Sequence, residues 1–198
     1  MTVFSTVEGG VSALYVGYFG RAGDPAGARY WSDQLYKGVM TLPQIAASFS
    51  VQTEAVTRYP FLAGNRSDST GIENFINGIF QDLLCRDADS GGLAYWAAQL
   101  HGRAGDAEAL GAFIVDVISG AIGYDDATIT NKVMVATYFT DAFAKSSLQW
   151  NADASLQAKT IVTETTNDLT SVTKGKAAAD AYLLARSSTR ISSPSSKL

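Results

Sequence analysis

A phrase of 22 residues occurs twice in this chain, 65 positions apart, with Leu14 through Leu35 lying over Ile79 through Leu100. Identities fall at Arg21/Arg86, Asp24/Asp89, Gly27/Gly92, Tyr30/Tyr95, Trp31/Trp96, Gln34/Gln99 and Leu35/Leu100. Seven such matches stand far above the roughly one or two that ordinary residue usage gives in a window of this size. They concentrate in an R-x-x-D-x-x-G-x-x-Y-W core, so one structural device is used twice. The fold must therefore let two like units share a core.

Apolar spacing assigns the units to helices. Val11, Leu14, Tyr15, Tyr18 and Phe19 form a stripe at i, i+3, i+4, i+7 and i+8. Ile72, Phe75, Ile76, Ile79, Phe80, Leu83 and Leu84 continue the same stripe in the second copy. Each helix runs into the shared loop, where Asp24 before Pro25 reads as an N-cap with proline at N1, and Asp89-Ser90 repeats the device. The helix after the loop carries Ala28, Trp31 and Leu35, or Leu93, Trp96 and Leu100, on its inner face.

The rest of the chain keeps the helical period. Thr41-Leu-Pro-Gln44 has the form of a capping box ahead of Ile45, Ala46 and Phe49. A short helix is predicted from Thr53 to Tyr59, ended by Pro60, and Gly64 to Gly71 reads as a turn-rich linker. Asp106 caps a helix bearing Leu110, Phe113, Ile114, Val117 and Ile118, and a longer one follows Gly123-Tyr-Asp-Asp126 through Phe143. Leu156, Ile161, Leu169, Leu183 and Leu184 mark two more. No segment alternates with strand period, so the expectation is an all-α, multi-helix bundle. It comprises a first repeat unit (1–64), a second (72–145) and C-terminal helices on the same domain (150–186). Residues 187–198 read as a disordered, partly vector-derived tail, and the chain as an excised N-terminal piece of a larger protein.

Composition excludes several function classes. A net charge of -4 without a clustered Lys/Arg face argues against nucleic-acid binding. No apolar run approaches the ~20 residues of a membrane-spanning helix, and the N-terminus lacks the basic and apolar regions of a cleavable signal. The single cysteine, Cys85, rules out an internal disulfide or a multi-thiolate zinc site, and its place after an apolar helix predicts a small buried residue.

Catalytic signals are absent. His101, the one histidine, has no Ser or Cys nucleophile motif and reads as an exposed structural residue. Gly175-Lys176 lacks the upstream glycine of a phosphate loop, since that position is Thr170. Asp87-Ala-Asp89-Ser-Gly-Gly92 begins like an EF-hand loop, but position 12 is Ala98 rather than a bidentate Glu, and the first copy has Ala22 for Asp87. At most a weak calcium site follows, no other cofactor is expected, and Asp125-Asp126 reads as a solvated helix start.

For the repeated core, a structural role is the first expectation. Arg21 and Arg86 should meet helix-end carbonyls and the negative end of the dipole. Asp24 and Asp89 should cap, Gly27 and Gly92 should let helices approach, and Trp31 and Trp96 should sit in the core. Tyr30 and Tyr95, one step round the helix, are the best rim residues. With Arg21 and Arg86 they form the candidate ligand-binding set.

The phrase Tyr-x-x-x-Phe-Gly-Arg-Ala-Gly-Asp-Pro-Ala-Gly-Ala-Arg-Tyr-Trp, echoed in the second copy, resembles a helical bacterial domain of unknown function that recurs in secreted RTX and surface-layer-type proteins. The resemblance covers roughly residues 11–62 and 72–143, and the second copy departs from the pattern at Cys85 and Ser90. It implies an N-terminal module that is not an enzyme and holds a secreted protein, exported by a type I route, to the cell surface. Its implied partner is lipopolysaccharide or another envelope glycan. Two alternatives stand beside it: a self-assembly module of a surface lattice or filament, in which copies of the chain bind one another, and a targeting domain attached to a secreted hydrolase.

Overall fold

A computed structural model describes residues 3–64, 68–103 and 105–191, with side chains through Ser188. Among these residues there are ten α-helices and no strand. The first unit comprises α1 (Val7–Phe19), α2 (Pro25–Tyr36), α3 (Leu42–Ser50) and the short α4 (Thr53–Arg58). The second comprises α5 (Ser69–Leu84), α6 (Ser90–Leu100), α7 (Ala107–Gly120) and the opening of α8 (Tyr124–Lys145). Helices α9 (Ala152–Thr163) and α10 (Leu169–Ile191) pack on α8. The expected linker 64–71 falls partly on residues 65–67, outside the described residues.

Local chemistry accounts for the helix starts. Asp24 and Asp89 accept from the amides of Gly27 and Gly92 at 2.7 and 2.8 Å, satisfying donors that the first turn leaves orphaned. Thr41 and Gln44 close the expected capping box, and Asp106 caps α7 through the Ala109 amide at 3.1 Å. Helix α4 stops at Arg58. Tyr59 takes an extended φ of −128° before Pro60, as the residue preceding proline must.

The two units meet through their like parts. Helix α1 packs on α5, and α3 packs on α7 more extensively than any other pair. At the α3–α7 crossing a Cβ on Gly111 would overlap the Pro43 carbonyl and lie 2.8 Å from the Ala47 amide nitrogen. Gly111 and Ala47 hold the same place in their units when Phe113 is aligned with Phe49. The units thus meet at equivalent positions of α3 and α7. Phe49, Phe75 and Phe113 lie buried at this junction, each contributing about 1.5–3 kcal/mol by leaving water.

Helix α8 lies across both units. Its Thr137 hydroxyl donates to Ser12 Oγ at 2.9 Å, Thr140 to the Gly23 carbonyl at 2.8 Å and Lys132 to the Asp82 carbonyl at 2.6 Å. Asn131 reaches the Thr166 carbonyl in the α9–α10 connection at 2.9 Å.

Two expectations change here, and most of the leucines that mark α9 and α10 do not line their inner faces. Cys85 is exposed rather than buried, because it is the left-handed C-cap of α5 (φ 58°), the position Gly20 holds on α1 (φ 64°). Its Sγ lies 3.5 Å from the Thr165 carbonyl. Leu156, Leu169 and Leu184 are exposed; α9 and α10 turn inward Ala154, Ala158, Ile161, Val162, Val172 and Ala179 instead. Small residues win there because α10 approaches α8 closely: a Cβ on Gly175 would sit 2.9 Å from Val135 Cγ1. Lastly, α10 continues through Ile191 into the segment expected to be disordered, with Ser187 and Ser188 hydroxyls donating to the carbonyls four residues back. Residues 192–198 lie outside the described residues.

Candidate functional site

The repeated arginine of each copy is engaged in the same way. Arg21 donates from Nε and Nη2 to both carboxylate oxygens of Glu54, at 2.8 and 2.6 Å, and from Nη1 to the Ala22 carbonyl at 2.9 Å. Arg86 donates to both oxygens of Asp125, at 3.1 and 2.7 Å, and to the Asp87 carbonyl at 3.0 Å. Glu54 and Asp125 are each the second residue of a helix, α4 and α8, where a carboxylate also favours the positive end of the dipole. The arginines thus clamp a loop to a later helix rather than meeting helix-end carbonyls. Those carbonyls are served by Arg58, 3.5 Å from Tyr18 O, and by Lys132 at Asp82 O.

Sequence reasoning missed Glu54 and Asp125. The available signal was an acidic residue in the first turn of the third helix after each motif arginine. Asp125 is a paired residue, not merely a solvated helix start.

The two glycines of the motif do different work. A Cβ on Gly27 would overlap the Tyr15 hydroxyl, whereas one on Gly92 would meet only Asp89 Oδ1 at 3.4 Å. The counterpart of Tyr15 is Phe80, which has no hydroxyl to place there. Close approach is therefore needed at Gly27 alone.

Trp31 and Trp96 are half-buried, standing edge-on to Phe49 and Phe113 with ring centroids 5.4 and 4.9 Å apart. Tyr30 and Tyr95 stand edge-on to these tryptophans at 4.8 and 4.9 Å and remain 54% and 57% exposed. Each forms a shelf whose rigid backing is the core itself. One helical turn on, Gln34 and Gln99 fall on the same face as the tyrosines. Beside Tyr95 a cleft of about 110 Å³ is lined by Trp96, Gln99, Arg103, Phe113 and Asp116 among others. Of the four candidate ligand residues, the arginines are held by carboxylates and the tyrosines are open. Among the described residues the arginines' hydrogen bonds and ion pairs run to Glu54 and Asp125 and to loop carbonyls, not to the tyrosines.

A second polar group lies between the units. Arg58 pairs with Asp82 at 2.5 Å, and Lys132 is almost wholly buried beside them. Burial pushes the Asp82 carboxyl above the ordinary aspartate range, against the opposing pull of Arg58 and Lys132. Burial likewise raises the hydroxyls of Tyr15, Tyr18 and Tyr59 far above a free tyrosine. Arg58, Asp82 and Lys132 fasten α1, α4, α5 and α8 together.

The EF-hand-like carboxylates have other partners: Asp87 Oδ1 accepts from Gln81 at 2.9 Å and Asp89 Oδ1 from the Gly92 amide. Among the described residues no three His, Cys, Asp or Glu side chains are grouped as metal ligands. His101 is exposed at the C-cap of α6. No single helix among the described residues is long and apolar enough to cross a membrane.

Fold and surface together define a tandem-repeat, all-helical module that carries a tyrosine shelf on each unit. The chain belongs to the family described as Domain of unknown function (DUF4214), whose model matches it twice, over residues 8–59 and 63–115, together more than half its length. Among curated proteins and solved structures, none matches it.

Proposed function

We propose that this chain is a non-enzymatic anchoring module that holds a secreted bacterial surface protein to its cell by binding an envelope glycan, lipopolysaccharide included. The observation that carries the reading is the pair of half-exposed tyrosines, each braced edge-on by a tryptophan of the core. A sugar presents an apolar ring face and a rim of hydroxyls. A rigid tyrosine face with an amide one turn away suits both, and ordering it costs little because the ring is already fixed. Cell-surface placement and type I export rest on the resemblance to RTX and surface-layer proteins. The test is retention on lipopolysaccharide and on a glycan array, compared with Tyr30→Ala/Tyr95→Ala. Retention by the parent chain and its loss in the variant is the expected result. Retention no better than that of an unrelated acidic helical protein would refute the reading.

Self-assembly is a second reading. It is favoured by the exposed Ile122 and Tyr124 at the α7–α8 corner, 82% and 81% accessible, since neighbouring apolar side chains in water commonly mark a protein contact.

A further inference from the structure

We propose that the groove between α1, α8 and α10 is a binding site for a zwitterionic α-amino acid with a large apolar side chain. The site is separate from the tyrosine shelves and does not depend on the glycan reading. Its α8 and α10 residues lie beyond residue 115, where the family match ends. It therefore belongs to the C-terminal helices of this chain rather than to the repeat.

Helix α8 carries two faces. Ile129, Ala136, Phe139 and Phe143 go to the core, whereas Met134, Thr137, Tyr138 and Asp141 recur at i, i+3, i+4 and i+7 on another side. That second face lines a groove of about 480 Å³, shared with Thr6 at the start of α1 and Lys176 of α10. The volume is that of a small-molecule site. Its apolar part is open, since Met134 is 42% exposed, and methionine adapts its shape to what it meets.

The charges select the ligand. Lys176 and Asp141 line the same groove, and among the described residues neither side chain takes part in an ion pair. The Lys176 ammonium rests over the Tyr138 ring, 5.2 Å from its centroid. The nearby Asp180 is committed to the Tyr138 hydroxyl at 2.7 Å. Asp141 follows Tyr138 by one helical turn, and Met134 and Val133 precede it by one. One free cation and one free anion thus stand at the Tyr138 end of the groove, with apolar surface leading away from them.

A ligand with a single charge satisfies only half of this arrangement. A fatty carboxylate suits Lys176 and meets Asp141 with like charge, and an apolar amine does the reverse. An α-amino acid bears both charges on one carbon and points its side chain away from them. Its carboxylate pairs with Lys176, its ammonium with Asp141, and its side chain covers Met134 and Val133.

The experiment titrates the full chain, labelled at its methionine methyl groups, with L-phenylalanine and follows it by NMR. Three comparison probes each remove one feature. N-acetyl-L-phenylalanine lacks the ammonium, L-phenylalaninamide lacks the carboxylate, and glycine lacks the apolar side chain. L-phenylalanine should shift the Met134 methyl with a Kd of about 1 mM or below, and each comparison probe should bind at least about 10-fold more weakly. Asp141→Asn should erase the preference over N-acetyl-L-phenylalanine, and Lys176→Gln the preference over the amide. Both variants should keep the parent's far-UV circular dichroism, and Tyr30→Ala/Tyr95→Ala should bind as the parent does.

A Met134 methyl unmoved at about 20 mM L-phenylalanine, some twenty times the expected Kd, overturns the proposal. Equal affinity for the zwitterion and either singly charged analogue overturns it too, as do preferences that survive Asp141→Asn and Lys176→Gln. Each of these outcomes leaves the glycan reading standing. Loss of L-phenylalanine binding in Tyr30→Ala/Tyr95→Ala would move the ligand to the shelves and so also overturn the assignment to this groove.

Discussion

Gly20 and Cys85 occupy the same left-handed helix end in the two units, yet replacing them should move stability in opposite directions. At Gly20, with φ 64°, any L-side chain costs about 1–2 kcal/mol of backbone strain. Part of this, about 0.4–1 kcal/mol, is offset because alanine restricts the unfolded chain. The larger effect is steric: the new Cβ would lie 2.7 Å from Asp82 Oδ1 and 3.2 Å from Arg58 Nη1. The carboxylate must swing away from a pair whose side chains are only 12% and 28% exposed. Removing a partner of a buried pair costs about 3–5 kcal/mol, and displacement of a partly solvated one roughly half that. Gly20→Ala should therefore lose about 2–3 kcal/mol, a fall of roughly 6–10 °C in Tm for a chain of this size. Cys85→Gly removes about 1–2 kcal/mol of strain at φ 58°. It forfeits about 0.4–1 kcal/mol of chain entropy and the 3.5 Å contact to Thr165, and so ends neutral to slightly stabilised. Urea unfolding followed by circular dichroism, with unchanged m-values, measures both. In an Asp82→Ala background the cost of Gly20→Ala should shrink to the backbone part, roughly 0.5–1 kcal/mol. Equal losses from Gly20→Ala and Cys85→Gly, or a Gly20→Ala cost that Asp82→Ala leaves unchanged, would refute this account.

Other contrasts between the units follow the same logic. Gly27→Ala should destabilise by about 1–3 kcal/mol through overpacking against the Tyr15 hydroxyl, and Tyr15→Phe should recover much of it. Gly92→Ala should be neutral or slightly stabilising, and thermal melts of the three variants decide between them. Arg21→Ala should cost about 2–3 kcal/mol, because its side chain is 10% exposed and holds Glu54 with two bonds. Arg86→Ala, at 42% exposed, should cost under about 1 kcal/mol, and comparable losses in chemical denaturation would contradict the burial argument. With its carboxyl raised above the ordinary 3.8, folded Asp82 takes up a proton at higher pH than the unfolded chain does. Its contribution is therefore full at or below 3.8 and is lost as pH rises through the native value. The stability of the parent chain relative to Asp82→Asn should rise as pH falls from 6 toward 4, and a fall over that window would reverse the assignment.

Patterns that act within one or two helical turns were legible in the sequence. Asp24, Asp89 and Asp106 cap because an oxygen three residues ahead of a free amide needs no tertiary partner, and Thr41 with Gln44 is equally local. The apolar stripes of α1, α5 and α7 are inner faces because each is continuous over several turns. What was not legible depends on neighbours. Leu156 and Leu184 mark their helices without lying on the buried face, because those helices meet α8 through alanine and Gly175, which a hydrophobic stripe does not advertise. Cys85 looked buried because its environment was read from the helix before it; its backbone conformation, known only by comparison with Gly20, places it outside. At the candidate site the exposed tyrosines were readable from their position beside a core tryptophan. The carboxylates that hold Arg21 and Arg86 were not, because they lie 33 and 39 residues away.

The clamps also fix the length of the unit. Arg21 closes on the second residue of α4, and Arg86 on the second residue of α8, so the opening of α8 is the second unit's counterpart of α4. The family match ends at residue 115, yet the clamp that completes the second unit is at Asp125. The physical unit therefore extends beyond its recognisable sequence. The units then part ways for a local reason: Pro60 ends α4 at once, whereas no proline lies between Asp125 and Lys145 and α8 runs on to its end there. That extension carries Thr137 and Thr140 back onto the first unit and offers Val135 and Tyr138 to α10, where Tyr138 donates to Asp180 at 2.7 Å. Tandem units bury their faces on one another and need a terminal element to close the array. Here the second unit's own last helix, lengthened, is that closure, and α9 and α10 can dock only because it is long.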